Sequence, residues 1–142
     1  MKKMITIIAL VAAVFLSGTL GSVNAHAAKA DGKLMVVWSS GDKEVAQKIA
    51  LPYPMVAKEH GMFADISVLV WGASTKLLSE DAELQGFVKK LQDMGIKILV
   101  CKWCSDGYGV SDKLAKMGLE VDYMAQPLTQ ALKDKGWSVV TF

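Results

Sequence analysis

The sequence of 142 residues contains no arginine; all sixteen of its basic side chains are lysines. Arginine supplies the planar fork that grips phosphate and reads guanine edges. Its absence, with a formal net charge of only +2, excludes nucleic acid as an expected partner. Cysteine is almost as scarce: Cys101 and Cys104 are the whole supply, which rules out the disulfide framework of small secreted scaffolds. Histidine is limited to His26 and His60. A structural zinc site normally takes four ligands, and beyond the N-terminal segment the chain offers only Cys101, Cys104 and His60. Only an oligomer interface would complete such a set, so no metal is expected, and no cofactor. Apolar runs fall short of the roughly 20 residues that a membrane-spanning helix needs. No internal repeat, low-complexity tract or linker divides the chain.

What is present at the start reads as an export signal. Lys2 and Lys3 precede a largely apolar stretch, Met4 to Leu16, and Ala25-His26-Ala27 supplies small residues around a cleavage point. Cleavage is expected after Ala27, making residues 1–27 the signal; Ala28-Lys29-Ala30 offers a second site three residues later. No cysteine lies there to take a lipid. The expectation is an exported protein, periplasmic or extracellular, with no stable membrane insertion after processing. Residues 28–142 then form one domain, long enough to bury a core without disulfide staples. Loss of Lys2 and Lys3 brings the net charge to about zero, so part of the basicity belongs to the signal.

Strand-like and helix-like segments alternate through the rest. Leu34 to Trp38 is a short apolar run closed by Ser39-Ser40-Gly41-Asp42, a strand that ends in a loop and a helix cap. A helix is predicted from Lys43 to about Ala50, broken by Pro52 and Pro54, with a second piece from Met55 to His60 before Gly61. Asp65 to Trp71 is the second strand. A helix from Ser79 or Glu80 to Met94 follows, with Leu84, Phe87, Val88 and Leu91 at helical spacing and Gly95 as its stop. Ile96 to Val100 gives a third strand, Leu119 to Tyr123 a fourth and Trp137 to Phe142 a fifth. Between them lie a helix from about Gly109 to Lys116 and another opened by Pro127. The crossovers are too long for hairpins, so the fold class is α/β: a largely parallel five-stranded sheet with helices on both faces. Ligands of such sheets bind beyond the carboxyl ends of the strands, here the loops Ser39 to Asp42, Trp71 to Thr75 and Cys101 to Tyr108.

One of those loops holds both cysteines. A helix start stabilises a thiolate through its free N–H groups, and Lys102 adds a positive charge, which favours Cys101 as a nucleophile. Three chemistries fit Cys101-Lys102-Trp103-Cys104: an inert disulfide, a dithiol redox pair, or sulfur transfer. A bridge across two residues closes a very short loop and restrains the unfolded chain little. Thioredoxin-like proteins carry their pair after an early strand, whereas this one follows the third of five, which argues against that fold but not against dithiol chemistry.

Several segments, in their order and spacing, carry a resemblance. These are Ser39-Ser40-Gly41-Asp42 after the opening strand, Val70-Trp71-Gly72, the block Gly95-Ile96-Lys97-Ile98-Leu99-Val100-Cys101, Gly109-Val110, Gly118-Leu119-Glu120-Val121 and the closing strand to Phe142. Over nearly all of residues 28–142 the chain resembles the DsrE/DsrF-like sulfur-relay family. That resemblance implies a three-layer α/β/α sandwich and a sulfane-sulfur carrier or sulfurtransferase whose persulfide forms on the cysteine after the third strand, Cys101. It also implies a sulfur donor or acceptor as partner, small molecule or protein, and assembly into trimers or hexamers. The export signal separates this chain from the cytoplasmic relays that feed tRNA modification. Cys104 is not required by the carrier pattern; its spacing suits it to resolve a persulfide on Cys101. The alternatives are a small-ligand or assembly module with an inert disulfide, and an exported dithiol oxidoreductase.

Other residues have two readings each. Trp103 and Tyr108 either wall a small-molecule pocket or pack at the loop base, and Trp38 and Trp71 either line the same mouth or belong to the core. His60 reads as a surface or cap residue beside Gly61. Asp106 and Asp112 either assist proton transfer or stand in solvent as caps. The methionines, scattered rather than clustered, read as core filling.

Overall fold

A computed structural model describes residues 31–142. The expected signal, residues 1–27, lies outside the described residues. Five strands form one sheet: β1 Lys33–Trp38, β2 Asp65–Val70, β3 Lys97–Cys101, β4 Glu120–Asp122 and β5 Trp137–Thr141. Every pairing is parallel and the order across the sheet is β4-β3-β2-β1-β5. Parallel strands buried on both sides need apolar residues at successive positions. In β1, Leu34 through Trp38 are all buried.

Alternation divides those residues between two cores. Leu34, Val36 and Trp38 face one side with Ile66, Val68, Val70, Ile98 and Val100, while Met35 and Val37 face the other with Leu69 and Cys101. Right-handed crossovers explain why the two sides are unequal. From β1 to β4 the chain steps steadily in one direction, so the intervening helices share a face: Ala57, Leu78, Leu84 and Leu114 all join the larger core. From β4 it returns past β1 to β5, and that single crossover, α7 (Ala125–Lys133), lands opposite, where Ala131 joins the smaller core. The protein is therefore an α/β/α sandwich with one thick and one thin helical layer.

Local chemistry moved several helix boundaries from their sequence-based positions. α1 spans only Lys43–Val45, capped by Asp42, whose carboxylate accepts from the N–H groups of Glu44 at 2.7 Å and Val45 at 3.2 Å. It runs into a wide turn, Ala46–Ala50, in which the Leu51 N–H reaches back to the Ala46 carbonyl at 3.1 Å. α2 is Pro52–Glu59 and begins at the prolines rather than after them. First-turn positions have N–H groups without helical partners, so proline costs nothing there.

An additional helix, α3 (Ala73–Glu80), occupies the predicted loop Trp71 to Thr75 and its continuation. Its buried Ser74, Thr75 and Ser79 weaken the apolar periodicity, and each hydroxyl is satisfied by nearby backbone. Ser74 donates to the Trp38 carbonyl at 2.6 Å and accepts from the Trp71 N–H at 3.0 Å, tying the ends of β1 and β2 together. The turn into α3 needs Gly72 at φ 66°, a backbone region that favours glycine. α4 (Ala82–Asp93) then starts afresh at Asp81, which caps the Glu83 and Leu84 N–H groups at 3.0 Å each and pairs with Lys43 at 2.8 Å. The cysteine segment is helical too: α5 covers Lys102–Gly107 and α6 Ser111–Ala115. In α7, Pro127 is the third residue and lies in the first turn, as expected.

Because α4 seats Leu84, Val88 and Leu91 fully buried on the sheet, truncating Leu84 leaves a cavity in the larger core. Leu84→Ala is expected to cost about 2–5 kcal/mol. The measurement is urea unfolding, which should show a lower midpoint at unchanged slope; an unchanged midpoint would show that this contact carries no stability.

Candidate functional site

Strands β3 and β4 are neighbours whose exits diverge. The chain leaving β3 reaches the thick layer through α5 and α6, and the chain leaving β4 goes to α7 on the thin one. Such a divergence is where open parallel sheets place their ligands, outside the carboxyl ends of the strands. Cys101 is the last residue of β3 and stands in register with Asp122, the last of β4. Alternation along β3 puts Ile98 and Val100 in the larger core and turns Leu99 and Cys101 toward the α7 side.

Cys101 is 2% exposed and belongs to an apolar cluster with Met35, Val37, Leu69, Met124 and Ala131, at whose margin Trp71 and Cys104 pack. Both cysteines are free thiols. Cys104 lies within the first turn of α5 and is half-buried; its thiol donates to Cys101 Sγ at 2.8 Å. A disulfide bond is about 2.05 Å long, so the pair stands poised to bond with little backbone movement.

Burial and the start of α5 act on the Cys101 thiol in opposite directions. Burial pushes the Cys101 thiol up to about 11, and the Cys104 contact adds to the rise. The backbone N–H groups of Cys104 and Trp103, at the start of α5, pull the other way and only partly offset it. Lys102, which the sequence placed beside the sulfur, gives its charge to Asp106, with Nζ 2.7 and 3.0 Å from the two carboxylate oxygens. That pairing raises the lysine's pKa and lowers the carboxyl's. Asp106 also accepts from the Ser111 hydroxyl, which lies 2.6 Å from the hydroxyl of fully buried Ser105. Together these contacts brace α5 against α6 and hold Cys104 in place.

The remaining sequence candidates separate. Trp71 joins the cysteine cluster, whereas Trp38 is fully buried in the other core, with its indole N–H unpartnered. Trp103 is 77% exposed and is not part of the cysteine cluster. Tyr108 lines a different groove with Gly41, Ala73 and Lys76. His60 caps α2 through its backbone and is exposed, and Asp112 is exposed in the first turn of α6. Asp106 is a brace. The loop Ser39 to Asp42 is filled by the chain itself: the Phe142 carbonyl oxygen accepts from the Ser39 N–H at 2.8 Å, the Ser39 hydroxyl at 3.0 Å and the Ser40 N–H at 3.3 Å.

Asp122, Met35 and Met124 stand beside Cys101 without a motif in the sequence to mark them. The signal for Asp122 was its place at the end of the fourth strand, which becomes meaningful only once β3 and β4 are neighbours. Met35 and Met124 are core, as the scattered methionines predict, on the cysteine's side of the sheet. A groove of about 320 Å³ runs along the same face, lined among others by Met35, Ser67, Leu99 and Trp137, with neither cysteine in its wall. Among the described residues no three His, Cys, Asp or Glu side chains are grouped to hold a metal ion, and no helix is long and apolar enough to cross a membrane.

Comparison with solved structures finds the same architecture. BT1422 of Bacteroides thetaiotaomicron, a conserved protein of unknown function, is 30% identical, with 81% of this chain and 98% of that one covered at a TM-score of 0.74. MTH1491 of Methanobacterium thermoautotrophicum, also of unknown function, is 18% identical over 79% of this chain and all of its own, at 0.67. YchN of Escherichia coli is 17% identical over 79% of this chain and 99% of its own, at 0.59. At such identities the last two show the fold alone. No curated protein matches the sequence. The family pattern described as "DsrE/DsrF-like family" matches residues 32–142, from just before β1 to the final residue. With an all-parallel five-stranded sheet between two helical layers, the chain belongs to the DsrE/DsrF-like family.

Proposed function

We propose that the protein is an exported sulfane-sulfur carrier that holds sulfur as a persulfide on Cys101. The observation that carries this reading is the position of Cys101: at the diverging ends of β3 and β4, buried among apolar side chains, with a second thiol in contact. A persulfide is soft and polarizable, and a dry site lined by methionine and aliphatic groups suits it while keeping water and foreign thiols away. Membership of a family associated with sulfur relays supports the same chemistry. Export rests on residues 1–27 and their signal-like order of charge, apolar stretch and small residues. The donor or acceptor is a small polysulfide or a partner protein, and the carrier works as a trimer or hexamer, for which exposed Trp103, Tyr123 and Leu132 supply apolar surface.

Peptide mapping after polysulfide treatment tests the carrier reading. The Cys104→Ser protein is expected to gain the mass of one sulfur atom on Cys101, and Cys101→Ser to gain none there. No adduct in the former would sink the proposal; exchange with protein disulfides in its place would favour a dithiol oxidoreductase.

Because the thiolate is the nucleophile and burial raises the Cys101 pKa to about 11, the thiol is almost wholly protonated at neutral pH. In Cys104→Ser, alkylation of Cys101 by iodoacetamide should accelerate about tenfold per pH unit from neutrality to beyond pH 9. A plateau below that point would show that burial does not control the sulfur. Light scattering of the mature chain is expected to give a trimer or hexamer mass, and a monomer at micromolar concentration would refute the assembly.

A further inference from the structure

We infer that Cys104 discharges the sulfur held on Cys101, expelling it as sulfide while the two cysteines close into a disulfide. The inference rests on the persulfide reading of Cys101 and assigns the second thiol a step of its own. In a persulfide, Cys101 Sγ stays bonded to Cβ and carries the terminal sulfur beyond it. Cys104 Sγ lies 2.8 Å from that inner atom, so the contact is with the inner sulfur itself. The brace of Lys102, Asp106, Ser111 and Ser105 fixes the turn that holds Cys104 there.

The step balances without an outside oxidant. Cys104, as thiolate, attacks Cys101 Sγ, and the new Sγ–Sγ bond forms as the bond to the terminal sulfur breaks. The electron pair of that bond leaves with the terminal sulfur as hydrosulfide, which takes up the proton given by Cys104. One persulfide and one thiol become one disulfide and one hydrogen sulfide; the sulfane sulfur is reduced and the cysteine pair oxidised. A further cycle needs an external dithiol, small molecule or protein, to reduce the disulfide.

Leaving-group chemistry favours this direction of attack. Had Cys104 attacked the terminal sulfur, the departing group would be the Cys101 thiolate, and thiols of lower pKa leave faster. Burial lifts Cys101 to about 11, which makes its thiolate a poor leaving group beside small, readily hydrated hydrosulfide. The same burial, at 2% exposure, hinders external thiols from reaching the inner sulfur, leaving Cys104 as the thiol already in place.

The test uses the full mature chain, reduced, charged with polysulfide, freed of excess reagent, and then followed by intact mass and by a zinc trap for released sulfide. Wild type is expected to lose the added sulfur, to end two hydrogens lighter than the dithiol, and to yield close to one sulfide per chain. Cys104→Ser should keep the adduct and release roughly tenfold less sulfide over the same period. A charged wild type that keeps its sulfur as long as the variant does, or loses it without forming the disulfide, overturns the inference and leaves the carrier reading standing. Absence of an adduct in both proteins overturns both together. The wild-type measurement alone reports the disulfide, so the outcome does not depend on how well the variant folds.

Discussion

The parallel sheet must be buried on both faces, and that requirement organises everything else in the molecule. Parallel pairing requires a crossover after each of the first four strands, and right-handed crossovers stepping one way stack their helices on one side. Only the last crossover, from β4 to β5, remains to cover the other face. Fully burying a side chain such as Leu34, Leu84 or Val100 contributes roughly 1.5–3 kcal/mol, and most such side chains sit in the thick layer. Stability is concentrated there. The thin layer keeps a smaller cluster, and Cys101 belongs to it.

That division separates the scaffold from the chemistry. β3 is anchored by Ile98 and Val100 on one side and presents Leu99 and Cys101 on the other, so the Cys101 sulfur rides on a strand whose other face is held in the main core. Its environment is apolar, and desolvation outweighs the N–H groups at the start of α5. Lys102, one residue away in sequence, is electrostatically committed to Asp106. The result is a sulfur shielded from solvent with one thiol neighbour, an arrangement that leaves Cys104 in closer reach than any passing thiol or disulfide.

Elements with strong apolar periodicity were legible from the chain. The five strands were recognisable within a few residues, and α4 through Leu84, Val88 and Leu91. Segments whose stability comes from polar back-bonding were not: α3 buries Ser74, Thr75 and Ser79 by satisfying their hydroxyls locally, and a pattern of small polar residues reads as loop. Pro52 and Pro54 look like breakers in sequence because proline lacks the N–H that a helix interior bonds, whereas at a helix start that group has no helical partner to lose. The expected ligand loop Ser39 to Asp42 was legible as a strand exit, but only folding brought Phe142 from the far end of the chain to fill it.

The sequence by itself determined the α/β class, the order of its strands along the chain and the spacing of Cys101 and Cys104 after the third strand, because these depend on short-range pattern: apolar periods, glycine stops and two residues between thiols. Tertiary structure decided which face each strand residue joins, which strands are neighbours, and therefore that Cys101 stands beside Asp122 in an apolar cluster with Met35 and Met124. It also added desolvation to the influences on the thiol. A helix start and an adjacent lysine are visible in sequence, but desolvation is a property of everything packed around the sulfur. Here burial is the larger effect.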